Sequence, residues 1–259
     1  MEKKQSKYEL KGKTLEELQN FIEDLGEPKF RAKQIYNWLY DNLTDNIDEM
    51  SNLPKPLREK LIENSSAKSI KLITTQNSPS TGTIKYLFAT FDNQKIETVL
   101  IPEGNRNTLC ISTQVGCPLD CKFCATGLMG YKRNLSAGEI VDQYFITAKN
   151  LDEGKITNIV YMGMGEPLLN FNGTLTSLKI FTSEISTGLS RNKITVSTAG
   201  IPGKIKELAD SGIRCKLALS LHSCFNEVRN RIMPINKKYP LEENIQALKY
   251  YARETKQKI

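Results

Sequence analysis

The sequence has a single histidine and a single tryptophan among its 259 residues, and it has no long apolar run. A membrane-spanning helix needs about 18 or more consecutive apolar residues, and no such stretch occurs. The opening residues, MEKKQSKYELKGK, lack the apolar segment of a secretory signal. Cysteine is scarce as well, six in all, and three of the six crowd into one motif. That distribution is not a disulfide framework and fits a reducing, cytoplasmic setting. No fourth cysteine lies close to the three, so a closed zinc site of two Cys-x-x-Cys pairs is not available there. What is present is the composition of an ordinary soluble globular chain, 39% hydrophobic and 25% charged.

Positive charge is in excess, at +7 net, and it is unevenly placed. Residues 1–50 hold eight Lys and Arg against eleven Asp and Glu, whereas residues 201–259 hold twelve against six. A basic rim over a catalytic mouth would suit a polyanion such as RNA. On charge alone, a solvated basic face is the simpler account.

The periodicities predict an α/β chain in three parts. Residues 1–68 read as a small helical domain. Thr14-Leu-Glu-Glu17 is a capping box opening a helix whose apolar stripe is Leu15, Leu18, Phe21, Ile22 and Leu25. Gly26 and Pro28 stop it, a second helix is expected from Phe30 to Leu43, and a third from Leu57 to Ile62. The Tyr and Trp residues of this part are expected to be core rather than base-stacking platforms. Residues 69–107 alternate apolar and polar over Ile70–Thr75, Ile84–Phe91 and Ile96–Ile101, the mark of a short antiparallel segment. Residues 108–259 then alternate strand and helix, with strands at Leu109–Val115, Asn158–Met162, Lys193–Ser197 and Lys216–Leu221. Ser136-Ala-Gly-Glu139 caps a helix after the first strand, and Leu241, Ile245, Leu248 and Ala252 mark one after the last. Repeated βα units imply a partial parallel (β/α) barrel with its chemistry in the loops after the strands.

The first such loop carries Cys117-Pro-Leu-Asp-Cys121-Lys-Phe-Cys124, three thiols spaced C-x₃-C-x₂-C. A zinc site and three unrelated cysteines are the plain readings of such a group. Ferredoxin-type clusters take four thiolates at other spacings. Three thiolates would hold three irons of a [4Fe–4S] cube and leave one iron open. That arrangement resembles the signature of radical S-adenosylmethionine (SAM) enzymes, in which the open iron chelates SAM and an electron from the cluster splits it. Gly116 and Pro118 favour a tight loop here, and Phe123 is placed to shield a cluster from water.

The later strand ends add candidates. Gly163-Met-Gly165-Glu166-Pro would bring backbone close to a ligand, and the Glu166 carboxylate would accept hydrogen bonds from the SAM ammonium group. Ser197 ends the third strand, with a hydroxyl suited to the SAM ribose. Ser220-Leu221-His222 ends the fourth, and a lone histidine there is expected to contact or orient SAM. Met162 and Met164 are expected to fill core.

These motifs, with Glu97-Thr-Val, Ile101-Pro-Glu103, Thr108-Leu-Cys110-Ile-Ser112, Gln114-Val-Gly-Cys117, Gly163 through Asn170 and Met233-Pro-Ile-Asn-Lys-Lys238, resemble the RlmN family over nearly the whole chain. RlmN enzymes are dual-specificity radical SAM methyltransferases that methylate adenine C2 in 23S ribosomal RNA and in certain tRNAs. Their C8-methylating relatives, the Cfr enzymes, share most of the motifs, while Gly116-Cys117-Pro118 and the Met233 segment look more like RlmN. The resemblance implies that Cys117, Cys121 and Cys124 hold a [4Fe–4S] cluster, and that Gly165, Glu166, Ser197, Ser220, Leu221 and His222 bind SAM. It implies Glu97 as the acceptor of the C2 proton and Cys110 as the thiol that releases product through a transient disulfide. Cys215 and Cys224 match no family role and are expected to be structural. A flavodoxin or ferredoxin would supply electrons to a monomeric enzyme.

Adenine C2 lies between two ring nitrogens and does not attack a methyl cation donor, so a radical route is needed and the cofactor supplies it. In the family a cysteine in an Asp-Ala-Ala-Cys-Gly-like segment first accepts the methyl group. No such segment occurs in these residues. The expectation is a piece of an RlmN protein with about four of six βα units. A non-catalytic iron–sulfur or RNA-binding role is the alternative of another class.

Overall fold

The computed structural model describes residues 7–151 and 153–259. Residues 1–6, part of the stretch read for a signal segment, lie outside them. The chain opens with β1 (Tyr8–Glu9), followed by α1 (Leu15–Asp24), α2 (Phe30–Tyr40), α3 (Lys55–Asn64) and β2 (Ser65–Ser66). Thr14 caps α1 as expected: its hydroxyl accepts from the Glu17 amide at 3.2 Å, and its own amide donates to the Glu17 carboxylate at 2.7 Å. Tyr36 and Tyr40 are buried, as a core role requires. The second helix ends at Tyr40 rather than Leu43, because Leu43 adopts a left-handed backbone that no helix continues through. The parallel pairing of β1 with β2 has no sequence signal, since two residues carry no period.

The module is seated on α5 (Ala137–Lys149), whose capping box at Ser136 forms as predicted. Lys11 pairs with Asp142 at 3.0 Å in full burial, and the second Asp142 oxygen accepts from the Ser69 amide at 2.8 Å. Tyr40 packs its ring 5.0 Å from Phe145 and accepts from the Gly12 amide. Gly12 has a φ of 77°, and a Cβ there would stand 2.0 Å from the Gly138 nitrogen, so only glycine lets the two backbones meet.

One seven-stranded sheet forms the rest. Its antiparallel part is β3 (Ile70–Asn77), β4 (Ile84–Thr90) and β5 (Lys95–Glu103), and β5 pairs with β6 (Arg106–Cys110). After β6 the chain leaves the sheet for a separate antiparallel ribbon, β7 (Gln114–Gly116) and β8 (Tyr131–Asn134), with α4 (Ala125–Leu128) between its strands. Next come β9 (Asn158–Tyr161), α6 (Phe171–Phe181), β10 (Ile194–Thr198), α7 (Pro202–Asp210), β11 (Lys216–Leu219), α8 (Asn226–Ile232) and α9 (Leu241–Thr255). The spatial order is β11-β10-β9-β6-β5-β4-β3, and β6, β9, β10 and β11 run parallel. The expected α/β partial barrel is therefore present, with the antiparallel strands continuing its sheet.

Two readings need correction. Leu109–Val115 is not one strand. The Gln143 side chain takes the place of a neighbouring strand at Ser112, accepting from its amide at 2.7 Å and donating to its carbonyl at 2.9 Å. In α9 the buried stripe is Leu241, Asn244, Ala247, Leu248 and Tyr251, and Ile245 is exposed. Along the parallel strands Leu109, Ile159, Val196 and Leu217 are buried, whereas Cys110, Val160, Ser197 and Ala218 alternate onto the opposite, partly open face. No helix among the described residues is long and apolar enough to cross a membrane.

Candidate active site

A cavity of about 280 Å³ opens at the carboxyl ends of the parallel strands. Cys117, Cys121, Cys124, Gly165, Glu166, Ser197, Ser220 and His222 all line it. Eight of the predicted site residues thus converge from four loops. Leu221 lies on the same loop with its side chain partly exposed and does not line the cavity. Glu97 and Cys110 also lie outside the lining. They occupy the open sheet face alongside, where Val99 pairs with Cys110 and the Glu97 carbonyl accepts from the Ser112 hydroxyl at 2.6 Å.

The cysteine loop hangs from the β7–β8 ribbon. Asp120 adopts a left-handed backbone to make the turn, and the Cys124 amide donates to the Cys121 carbonyl at 3.0 Å. All six cysteines are free thiols. Burial pushes the Cys117 thiol up to about 11, with Glu166, Cys121 and Cys124 close enough to add to this. Among the described residues no three ligand groups sit at the spacing of one metal ion. A cube asks for something else: each thiolate binds a different iron, so the sulfurs stand apart around a shared space. Three partly exposed thiols facing one cavity, with no fourth, fit that demand. The open mouth leaves room beside them for a second ligand.

Glu166 lines the cavity and also has partners within the protein. Its carboxylate is buried and already engaged, accepting from the Leu168 amide at 3.1 Å and from the Ala199 amide at 2.8 Å. Burial raises its pKa against those hydrogen bonds. The side chain ties the β9 loop to the β10 loop, and the backbone beside it approaches Gln114 closely. Gly165, at φ 97°, allows this: a Cβ there would lie 2.5 Å from the Gln114 Cβ. Gln114 in turn accepts from the Glu166 amide at 2.8 Å.

Phe123 is half-exposed rather than buried over the thiols, and its ring rests 4.1 Å from that of His222. His222 holds a left-handed backbone, a strain that clusters at functional sites. Met164 is core as expected, but Met162 is half-exposed at the mouth. Burial pushes the Cys110 thiol up to about 11, with the nearby Met162 backbone acting the other way. Glu97 pairs with Lys85 at 3.1 Å. Cys215 is fully buried beside Tyr251, in keeping with a structural thiol, while Cys224 is exposed. Sequence reasoning quoted Gln114 within a motif without giving it a role and missed Arg229, which carries no local pattern.

A family model for the N-terminal domain of ribosomal RNA large subunit methyltransferases matches residues 8–66, and one for the radical SAM superfamily matches residues 111–257. A probable dual-specificity RNA methyltransferase RlmN of Dictyoglomus turgidum is 45% identical over 247 residues, covering 95% of this chain and 70% of its own. The chain belongs to the RlmN family. A probable RlmN of Staphylococcus aureus is 44% identical over 258 residues, 99% of this chain and 70% of the relative. The crystal structure of a radical SAM methyltransferase from Sphaerobacter thermophilus superposes with a TM-score of 0.92 at 40% identity, covering 96% of this chain and 74% of that one. An RlmN-family chain is a radical SAM methyltransferase, and its superfamily implies a [4Fe–4S] cluster and SAM.

Proposed function

We propose that these residues build the SAM-cleaving centre of an RNA methyltransferase that modifies adenine C2 in 23S ribosomal RNA and in tRNAs. The observation that carries the reading is the convergence of Cys117, Cys121 and Cys124 with Gly165, Ser197, Ser220 and His222 on one cavity. A [4Fe–4S] cluster held by the three thiols would supply the electron that cleaves SAM. The backbone at Gly165 and Glu166 then receives the methionine end of SAM, and the Ser197 and Ser220 hydroxyls, 3.3 Å apart, are placed for the ribose. Leu221 and the strained His222 shape the adenine side, with the Phe123 ring tilted against the imidazole.

Glu97 and Cys110 serve the RNA from the adjoining sheet face. Glu97, fixed by Lys85, takes the C2 proton, and Cys110 is a half-buried thiol placed to pair with the methyl-carrying cysteine of the family's Cys-Gly segment, which these residues do not contain, and so release product. Exposed Arg231, Lys237 and Lys238 give the mouth the basic rim that RNA phosphates need. A flavodoxin- or ferredoxin-type donor in the cytoplasm completes the reading, as does the division into residues 1–68, 69–107 and 108–259.

The test is anaerobic reconstitution with iron and sulfide. About four irons per chain, broad visible absorption, and reductive cleavage of SAM to methionine and 5′-deoxyadenosine are expected, all lost in Cys121→Ala. A colourless protein holding stoichiometric zinc would overturn the reading. In a protein that also carries the family's Cys-Gly segment, mass spectrometry of the modified RNA separates C2 from C8.

A further inference from the structure

Arg229 is the most deeply buried charged side chain among the described residues, at 0% exposure, and none of the ion pairs among them includes it. An isolated buried guanidinium is expensive, so its surroundings call for explanation. Its donors go to main-chain and amide oxygens. One Nη donates to the Ala199 carbonyl at 2.5 Å and the Ser220 carbonyl at 3.2 Å, Nε donates to the Leu221 carbonyl at 3.2 Å, and the other Nη donates to the Asn236 side chain. One residue therefore ties together the ends of β10 and β11, the two strands that carry Ser197, Ser220 and His222.

The same segment also holds the cysteine loop. The Ile232 carbonyl accepts from the Lys122 amide at 2.9 Å, and Leu119, Ala199 and Met233 pack with Cys117 and Cys121. Across Ala199 stands Glu166, whose carboxylate takes that residue's amide while Arg229 takes its carbonyl. The asparagine network behind Arg229 reaches a carboxylate only at Glu242, two amides away through Asn236 and Asn226.

We infer that Arg229 is a positioning residue whose unpaired charge is the counter-charge to a cluster on Cys117, Cys121 and Cys124, holding the cluster's reduction potential up while it fixes the SAM-facing strand ends. This rests on the cluster reading above. A cluster with three thiolates is anionic, and an added electron makes it more so. A fixed cation in a dry site favours the reduced state, and cluster potentials follow net charge and hydrogen bonding. Neutral hydrogen-bonding residues would fasten the same carbonyls without this effect. The absence of a carboxylate in contact is what leaves the charge available.

The test is a redox titration of the reconstituted whole chain, following the electron paramagnetic resonance signal of the reduced cluster, with iron content and thermal unfolding recorded for each variant. Arg229→Gln should lower the ratio of reduced to oxidised cluster about tenfold at a given ambient potential, equivalent to about 59 mV for one electron. Arg229→Lys should stay near wild type. Asn236→Asp leaves the guanidinium in place but sets a carboxylate against it, and should shift in the same direction as Arg229→Gln. If Arg229→Gln folds poorly or loads no iron, Asn236→Asp decides the matter. Full iron content with an unchanged potential in Asn236→Asp overturns the inference and leaves the cluster reading intact. So does a lysine variant as hard to reduce as the glutamine one. A wild-type chain that holds no iron overturns the cluster reading and this inference with it.

Discussion

Two seams of the molecule each bury a cation, and they handle it in opposite ways. Where the helical module meets α5, Lys11 and Asp142 touch at 3.0 Å, and the remaining Asp142 oxygen is taken by the Ser69 amide. Where the cysteine loop meets α8, Arg229 and Glu166 are kept apart by the backbone of Ala199, each spending its hydrogen bonds on the main chain. Charges in contact quench one another's field and act as a fastening. Charges separated by a residue keep their fields, and a third charged body can feel them. The first seam is scaffold and the second faces a ligand.

The largest effect that would test this contrast is at the scaffold seam. Asp142→Ala should destabilise the fold by about 3–5 kcal/mol, because it strands a buried ammonium. Joint replacement by Lys11→Met and Asp142→Leu should cost much less than either single change. Urea unfolding midpoints check both, and a double variant as unstable as the single ones would show that the pair supplies more than mutual neutralisation.

At the second seam, Glu166→Gln keeps the shape but sets an amide donor towards the Leu168 or Ala199 N–H. A loss of about 1.5–3 kcal/mol in loop anchoring is expected, with SAM affinity down about tenfold or more by equilibrium dialysis. Unchanged SAM affinity would mean that the two strand ends stay in place without that carboxylate.

The smallest effect belongs to a surface counterpart of both seams. Arg133 grips Asp92 at 2.7 and 2.9 Å and Glu139 at 2.7 and 2.8 Å, joining the β4–β5 turn to the start of α5. The guanidinium holds the half-exposed Asp92 carboxyl well below the usual carboxylate range. A depressed folded pKa contributes stability that is complete above the unfolded value near 3.9 and disappears as pH falls through the folded one. Asp92→Asn should therefore cost up to about 1 kcal/mol at pH 7 and progressively less below about pH 4. A difference that is flat with pH would mean that shape rather than charge matters there.

Legibility in the sequence followed the range of the forces involved. Capping boxes at Thr14 and Ser136 are decided within four residues, and both were readable. So were the alternating strands and the three-thiol loop. The break after Cys110 was not, because it depends on Gln143 reaching Ser112 from a helix 31 positions away. Helices α6 and α8 also went unread. Arg229 in isolation looks like one more surface cation in a basic segment. Only the arrival of Ala199, Ser220 and Leu221 around it gives it a task. The anchoring contact of Glu166 was unreadable for the same reason, since its partner amide at Ala199 comes from the next strand.

The three thiols sit on a ribbon of their own, outside the seven-stranded sheet, and the core beneath is closed by side chains alone. In a zinc finger the metal is the fold, and losing it is denaturation. Here the three thiols line a cavity beside a core that other side chains fill, so a cluster bound there would carry chemistry more than fold.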